Sequence, residues 1–121
     1  MVSLLLIEDD ENLAKLYKTE LELVGMSVMT TANGQRGLEI AKKEKPDLIL
    51  LDIILPEKLG ITVLKELKAD ETTTRIPVIV LSNFDQGENP KKAMELGAVA
   101  FLSKQKYTPQ QIAKEALVAL E

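Results

Sequence analysis

The stretch LILLDIILP, residues 48–56, places one carboxylate, Asp52, after four apolar residues and before three more. A continuous apolar run of this kind is typical of a strand that is buried on both faces, as in a parallel sheet covered by helices. Two further runs have the same character, LLLI at residues 4–7 and VIVL at residues 78–81. An acid at the end of a buried strand loses hydration and requires a compensating partner. The stretch therefore predicts a central strand that ends in a site.

Two milder apolar runs, SVMTT from Ser27 and AVAFL from Ala98, complete a set of five predicted strands and fit its two edges. A helical pattern follows every strand, and strands joined by helices become parallel neighbours through right-handed crossovers. The predicted fold is therefore an α/β (βα)5 domain with a doubly wound, flavodoxin-like parallel sheet and strand order 2-1-3-4-5. Because the last helix reaches the end of the chain, residues 1–121 are expected to form one domain.

The helical segments carry start and stop signals. The first has apolar residues spaced three and four apart and a glycine stop, at Leu13, Leu16, Tyr17, Leu21, Val24 and Gly25. The second is predicted over residues 34–45, and the third around Ile61, Leu64 and Leu67. Asn89 is predicted to cap the fourth, which Gly97 ends. The last has Thr108 and Gln111 as a capping box, and its apolar face is Ile112, Ala113, Ala116, Leu117 and Leu120.

Composition excludes several classes of protein. Hydrophobic residues make up 45% of the 121 residues and charged residues 28%, values typical of a folded globular domain. A net charge of −4 argues against a protein that binds nucleic acid or an anionic membrane directly. The chain has no cysteine and no apolar run long enough for a membrane span, and acids follow its first apolar run directly. We therefore expect a cytoplasmic protein without a signal peptide, and the absence of histidine removes the usual general base.

Charged and hydroxyl side chains follow the predicted strands. In open parallel sheets, ligands bind beyond the carboxyl ends of the strands, and the residues found there are Glu8, Asp9, Asp10, Asp52, Ser82, Asn83, Ser103 and Lys104. Strands 1 and 3 should be neighbours about 4.8 Å apart, so that Asp9 and Asp52 converge. Converging carboxylates repel unless a cation lies between them. Oxygen ligands without histidine or cysteine favour Mg²⁺, with Mn²⁺ as the alternative.

The same edge also offers groups for an anion. Lys104 supplies a positive charge and Ser82 a hydroxyl donor, and both suit the oxygens of a phosphoryl group. Carboxylates can form aspartyl phosphates, and phosphoryl transfer depends mainly on positioning and on charge neutralisation. Asp52 is the predicted nucleophile because it ends the central strand. Each of these residues taken singly fits a turn, a cap or a solvated surface, and only their joint placement predicts a site.

This arrangement resembles the receiver domain of two-component response regulators, of the chemotaxis-receiver type, over the whole chain. LLLIEDDENL resembles the opening acid pair of that family, and LILLDIILPEKLG resembles the phosphoacceptor segment with its proline and glycine. VIVLS and GAVAFLSK resemble the fourth and fifth strands with their hydroxyl residue and lysine. No single motif is long, but the set in this order is specific.

The resemblance implies a role for each residue. Asp52 would accept a phosphoryl group from a partner histidine kinase or histidine phosphotransfer protein. Asp9, Asp52 and the backbone carbonyl of Ile54 would bind Mg²⁺ directly, and Glu8 would act largely through water. Ser82 and Lys104 would contact the phosphoryl group, and Phe101 would be the aromatic switch residue of strand 5.

The resemblance also implies partners. The face formed by strand 4, helix 4, strand 5 and helix 5 would bind a downstream protein, and the surface formed by helix 4, strand 5 and helix 5 is a candidate for homodimer formation. Such a domain has no independent turnover substrate. Kinase, pathway and output, and whether the chain is a stand-alone receiver or part of a longer regulator, are left open.

The chain departs from the family pattern at two positions. Gln105 follows Lys104 where most relatives have a proline in a cis peptide, and a cis bond before another residue costs about 3 to 4 kcal/mol, so we expect a trans bond and a differently shaped loop. Asn83 stands where relatives usually have a smaller residue, which predicts slower loss of the phosphoryl group.

The sequence argues against several competing functions. Phosphatases that form an aspartyl phosphate usually carry a second aspartate where this chain has Ile54, and topoisomerase-primase-like metal sites need paired aspartates after a later strand. Flavin and dinucleotide sites need a loop that cradles phosphate, whereas the EDDEN segment would repel it. One alternative stays open, namely a receiver-like interaction module that binds its partner regardless of phosphorylation.

Overall fold

The computed structural model describes residues 1–83 and 90–121. Strands and helices alternate along the chain, and their bounds are β1 Ser3–Ile7, α1 Glu11–Leu23, β2 Ser27–Thr31, α2 Gly34–Glu44, β3 Leu48–Asp52, α3 Gly60–Ala69, β4 Val78–Ser82, α4 Pro90–Glu95, β5 Ala100–Ser103 and α5 Pro109–Ala119. All strand pairs are parallel, in the order β2-β1-β3-β4-β5. The predicted fold class and strand order are confirmed, with β2 and β5 at the edges.

The continuous apolar strands supply two separate cores, because successive side chains of a strand point to opposite faces. On one face, Ile49 and Leu51 of β3 pack with Leu38 of α2 and with α3. On the other face, Leu48 and Leu50 pack with Tyr17 of α1 and with α5. All of these strand residues are fully buried. A run without polar interruption is therefore what a sheet covered on both sides requires.

Helix ends follow the predicted signals closely at α5. Thr108 Oγ1 accepts from the backbone N–H of Gln111 at 3.1 Å, and Gln111 Oε1 accepts from the N–H of Thr108 at 2.8 Å, so the predicted capping box is confirmed. Asn89, the predicted cap of α4, lies outside the described residues. None of the helices in the described ranges is both long and apolar enough to cross a bilayer.

Three residues assigned to apolar helix faces are exposed. Leu16 is 54% exposed, Val24 41% and Leu117 40%. In α1 only Tyr17 and Leu21 are fully covered, where the helix packs on the sheet and on α5. Position 16 lies one residue before Tyr17 and so points about 100° away from it.

Candidate functional site

Asp52 is the last residue of β3 and lies opposite Leu81 of β4 in the parallel register. It is 3% exposed, although it carries a carboxylate. The chain leaves β3 through the loop at residues 53–59, which closes where Gly60 donates its N–H to the carbonyl of Ile53 at 2.7 Å. A side chain at Gly60 would collide with the carbonyl oxygen of Asp52. Glycine at this position therefore lets the start of α3 approach the end of the central strand.

Lys104 joins two carboxylates from different strands. Its Nζ lies 3.1 Å from Asp52 Oδ2 and 2.5 Å from Glu8 Oε1, and all three side chains are at most 4% exposed. The backbone holds Lys104 in place beside these carboxylates, because the N–H of Lys104 donates to the carbonyl of Ser82 at 2.7 Å. A buried ammonium with two buried carboxylates is a costly arrangement to desolvate, and it is maintained only when the groups pair well.

The pKa of the Asp52 carboxyl is raised to about 7. Burial is the largest cause and the charge of Glu8 also raises the pKa, whereas Lys104 opposes both. Burial, followed by the charges of Glu8, Asp52 and Asp10, also raises the pKa of the Tyr17 hydroxyl above its ordinary value. A further cation near Asp52 would lower its pKa and stabilise the carboxylate.

Glu8, Asp9 and Asp52 form a candidate metal cluster. Each offers a carboxylate oxygen, and the three oxygens lie within 4.8 Å of one another. Three carboxylates without histidine or cysteine form the kind of ligand set that Mg²⁺ prefers. Glu8 already uses both oxygens within the protein, since Oε2 accepts from the N–H of Asp10 at 3.1 Å while Oε1 binds Lys104. The residues therefore fit a hard divalent cation, with Asp9, which is exposed, most free to change partner.

Asp10 has a structural role. It is the N-cap of α1, and its Oδ1 accepts from the backbone N–H of Leu13 at 3.0 Å. A carboxylate at this position satisfies one of the unpaired donors of the first helical turn and interacts favourably with the helix dipole. Of the three consecutive acids after β1, Glu8 thus pairs with Lys104, Asp9 is an exposed candidate ligand and Asp10 caps α1.

The other predicted site residues surround this cluster. Ser82 is fully buried at the end of β4, opposite Ser103 of β5. Ile54 is 47% exposed, and its N–H donates to Asp52 Oδ1 at 3.4 Å. Metal binding by the Ile54 carbonyl stays a prediction, as do the roles of Ser82 and Lys104.

Phe101, the predicted switch residue, lies on β5 opposite Val80 and is partly buried against the core on the α3 side of the sheet. It also lines a surface pocket of about 330 Å³ with Pro90, Ser103, Lys106 and Tyr107. The Lys104–Gln105 peptide is trans, as expected, since no cis bond occurs in the described part of the chain. The N–H of Gln105 donates instead to Ser103 Oγ at 3.2 Å.

The ion pair between Lys104 and Glu8 was not foreseen from the sequence. The sequence indicated that both residues follow strands, but β1 and β5 are not neighbours in the sheet. Only the reach of a lysine side chain across the ends of β3 and β4 brings the two together. The sequence indicated only that a lysine and a glutamate follow strands that end at the same edge of the sheet.

Comparisons with known proteins identify the family of the chain. The family model of the response regulator receiver domain matches residues 4–116. The polar-differentiation response regulator DivK of Brucella anthropi is 36% identical over 110 residues, which cover 91% of this chain and 89% of that protein.

Solved structures give the same result. The receiver domain of Klebsiella pneumoniae RstA, solved in a BeF3-activated form, is 29% identical with a TM-score of 0.85, and the match covers 98% of this chain and 99% of that one. Chemotaxis protein CheY4 of Vibrio cholerae, 23% identical with a TM-score of 0.90 over 99% of both chains, shows the shared fold. The chain belongs to the response regulator receiver domain family, the signal-receiving module of two-component systems.

Proposed function

We propose that this chain is a phosphoacceptor: Asp52 takes a phosphoryl group from a histidine kinase or a histidine phosphotransfer protein, with Mg²⁺ bound beside it. The observation that carries the proposal is the buried Asp52 carboxylate held 3.1 Å from Lys104 within a cluster of three acids. A buried acid of raised pKa beside a lysine and further carboxylates is an unfavourable arrangement for stability alone. Such arrangements are concentrated at functional sites.

The chemistry would divide among a few residues. Asp9, Asp52 and the Ile54 carbonyl would hold Mg²⁺, with Glu8 acting mainly through water. An Asp52 oxygen would form the new P–O bond, while the P–N bond of the donor phosphohistidine breaks and leaves its electron pair on the histidine nitrogen. Lys104 and Ser82 would bind the oxygens of the transferred group. The metal would supply neutralisation of the developing charge.

Phosphorylation would alter the face formed by β4, α4, β5 and α5. The added charge would engage Ser82 and Lys104 at the ends of β4 and β5, and Phe101 would change its packing in response. Met94 on α4 and Leu117 and Val118 on α5 are exposed apolar side chains, and they would provide apolar contacts for a downstream protein or a second copy.

The proposed unit is one receiver domain over residues 1–121 that changes its own phosphorylation state but turns over no separate substrate. Asn83, which is exposed after β4, would narrow the approach of water to the phosphoryl group. An Asn83→Ala variant should therefore lose phosphate faster than the parent protein. Equal rates would remove this role of Asn83 without affecting the role of Asp52.

The test is intact-mass measurement after incubation with acetyl phosphate and Mg²⁺. We expect one phosphoryl adduct on the parent protein and none on Asp52→Asn or after chelation of the metal. Asp47→Asn, at the other end of the same strand, is the matched control and should be modified like the parent. An adduct that persists in Asp52→Asn would contradict the assignment of Asp52 as the phosphoacceptor, and no adduct at all would favour the alternative of an interaction module that works without phosphorylation.

A further inference from the structure

The loop between β3 and α3, residues 53–59, is closed by the backbone hydrogen bond from Gly60 N–H to the Ile53 carbonyl, but its far end has no side-chain cap. Leu59 is the N-cap of α3 and provides no side-chain hydrogen bond to the helix. Glu57 has a φ of 68°, a left-handed conformation that is unfavourable for a residue other than glycine. A strained loop that leads into an uncapped helix keeps one shape only if other parts of the molecule hold it.

Asn33, the N-cap of α2, and Gln35, in the first turn of α2, hold this loop. Asn33 Nδ2 donates to Glu57 Oε2 at 3.2 Å, and Lys58 Nζ donates to Gln35 Oε1 at 2.8 Å. Lys58 Nζ also lies 2.7 Å from Glu66 Oε2 on α3. The lysine thus ties the loop to α2 and to α3 at once, and we call Lys58, Gln35 and Glu66 the loop clamp.

Packing beneath the clamp leaves little room for other arrangements. A side chain at Gly34 would lie 3.3 Å from the carbonyl oxygen of Lys58 and 2.8 Å from Val63 Cγ2, so the start of α2 approaches the loop backbone closely. Leu55 is 5% exposed, whereas Ile54 is 47% exposed. The loop is therefore fixed at positions 55, 57 and 58, and Ile54 lies between these contacts and Asp52.

We propose that Lys58 is a positioning residue that sets the affinity of the site for Mg²⁺, by fixing the loop that carries the Ile54 carbonyl. The inference rests on the proposed function, in which that carbonyl is a metal ligand. Mg²⁺ requires nearly ideal octahedral geometry and tolerates displaced ligands poorly. Groups that orient metal ligands from outside the coordination sphere typically change metal affinity about 10- to 100-fold when removed. Lys58 and Glu66 are partly exposed, so the low end of that range applies.

Removal of the clamp is tested by Lys58→Met, with Mg²⁺ affinity measured calorimetrically in the absence of any phosphodonor. We expect about 10-fold weaker binding than in the parent. Lys42→Met is the matched control, because Lys42 also joins α2 to the end of α3, through Asp70 at 3.5 Å, but does not touch the loop. The Mg²⁺ affinity of Lys42→Met should stay within about twofold of the parent. Both variants should shift Tm by only about 3 °C or less.

Two more variants separate positioning from general destabilisation. Lys58→Arg keeps a donor for both Gln35 and Glu66 and should restore parent affinity. Asn33→Asp keeps the N-cap of α2, in which Asn33 Oδ1 accepts from the N–H of Arg36 at 2.9 Å, yet it places a second carboxylate beside Glu57. It should therefore weaken Mg²⁺ binding while α2 stays intact.

Hydrogen exchange of the metal-free protein provides a second readout. Amides of residues 54–60 should exchange faster in Lys58→Met than in Lys42→Met. Equal Mg²⁺ affinity in these two variants would overturn the inference and leave the proposed function standing. A parent protein that binds no Mg²⁺ would overturn the metal site itself, and the inference with it. Unchanged loop exchange in Lys58→Met would show that Lys58 does not fix the loop.

Discussion

β3 has an aspartate at each end, and the two differ in burial and in their partners. Asp47, just before the strand, is exposed, and its Oδ2 accepts from the N–H of Ser3 at 2.8 Å. Asp52, at the end of the strand, is 3% exposed and pairs with Lys104. The residue type and the neighbouring apolar run are the same, so the difference comes from topology. In a parallel sheet only the carboxyl edge gathers the residues that follow several strands.

The largest effect on stability is expected from the loss of Lys104, the cation that pairs with the buried Asp52. Lys104→Met leaves Asp52 and Glu8 buried without their ammonium, and we expect the free energy of unfolding to fall by about 3 kcal/mol near neutral pH. Chemical denaturation measures this directly. Adding Asp52→Asn to Lys104→Met should recover a large part of the loss, because one buried charge is then gone. A loss below about 0.5 kcal/mol would mean that the pairing contributes nothing.

The second-largest effect is an increase in the free energy of unfolding, and it is expected for Asp52→Asn. Burial raises the pKa of Asp52 from an ordinary 3.8 to about 7 in the folded protein. The folded state therefore binds more protons than the unfolded state between these two values, so this group favours folding below about pH 4, and its contribution is lost as the pH rises through about 7. Asp52→Asn removes the penalty and should stabilise the protein by about 2 kcal/mol at about pH 8.

The pH dependence provides the check on that variant. The advantage of Asp52→Asn over the parent should shrink steadily as denaturation is repeated at lower pH, and it should nearly vanish near pH 4. A constant advantage would assign the stabilisation to packing and not to charge.

The smallest effect is expected at the exposed end of the strand. Asp47→Asn keeps an oxygen that can accept from Ser3 but removes its negative charge, so the free energy of unfolding should fall by about 0.5 kcal/mol. Denaturation at the same pH as for Asp52→Asn makes the two directly comparable. Stabilisation by Asp47→Asn similar to that of Asp52→Asn would break the contrast between the two ends.

The sequence predicted those parts of the molecule that follow from pattern and topology. Continuous apolar runs marked all three inner strands, and the convergence of Asp9 and Asp52 followed from the strand order alone. The capping box at Thr108 was equally readable, because both of its halves are local in sequence. The exposure of Leu16 could not be predicted in this way, since the width of the buried face of a helix depends on how its neighbours pack.

Long-range side-chain pairs were the other limit. Lys104 reaches Glu8 across two intervening strand ends, and Lys58 reaches Gln35 and Glu66 from a loop. A lysine in a loop is usually solvated, and nothing in the residues around position 58 distinguishes it from such a surface lysine. These contacts depend on side-chain conformations that only the folded structure specifies.

The most direct test asks which carboxylate accepts the phosphoryl group. Acyl phosphates are reduced by borohydride, so an aspartyl phosphate becomes homoserine and can be located by peptide mass spectrometry. After phosphorylation with acetyl phosphate and Mg²⁺, we predict homoserine at position 52 alone. Homoserine at position 9 or 47 in its place, or at none, would contradict the assignment of Asp52 as the phosphoacceptor.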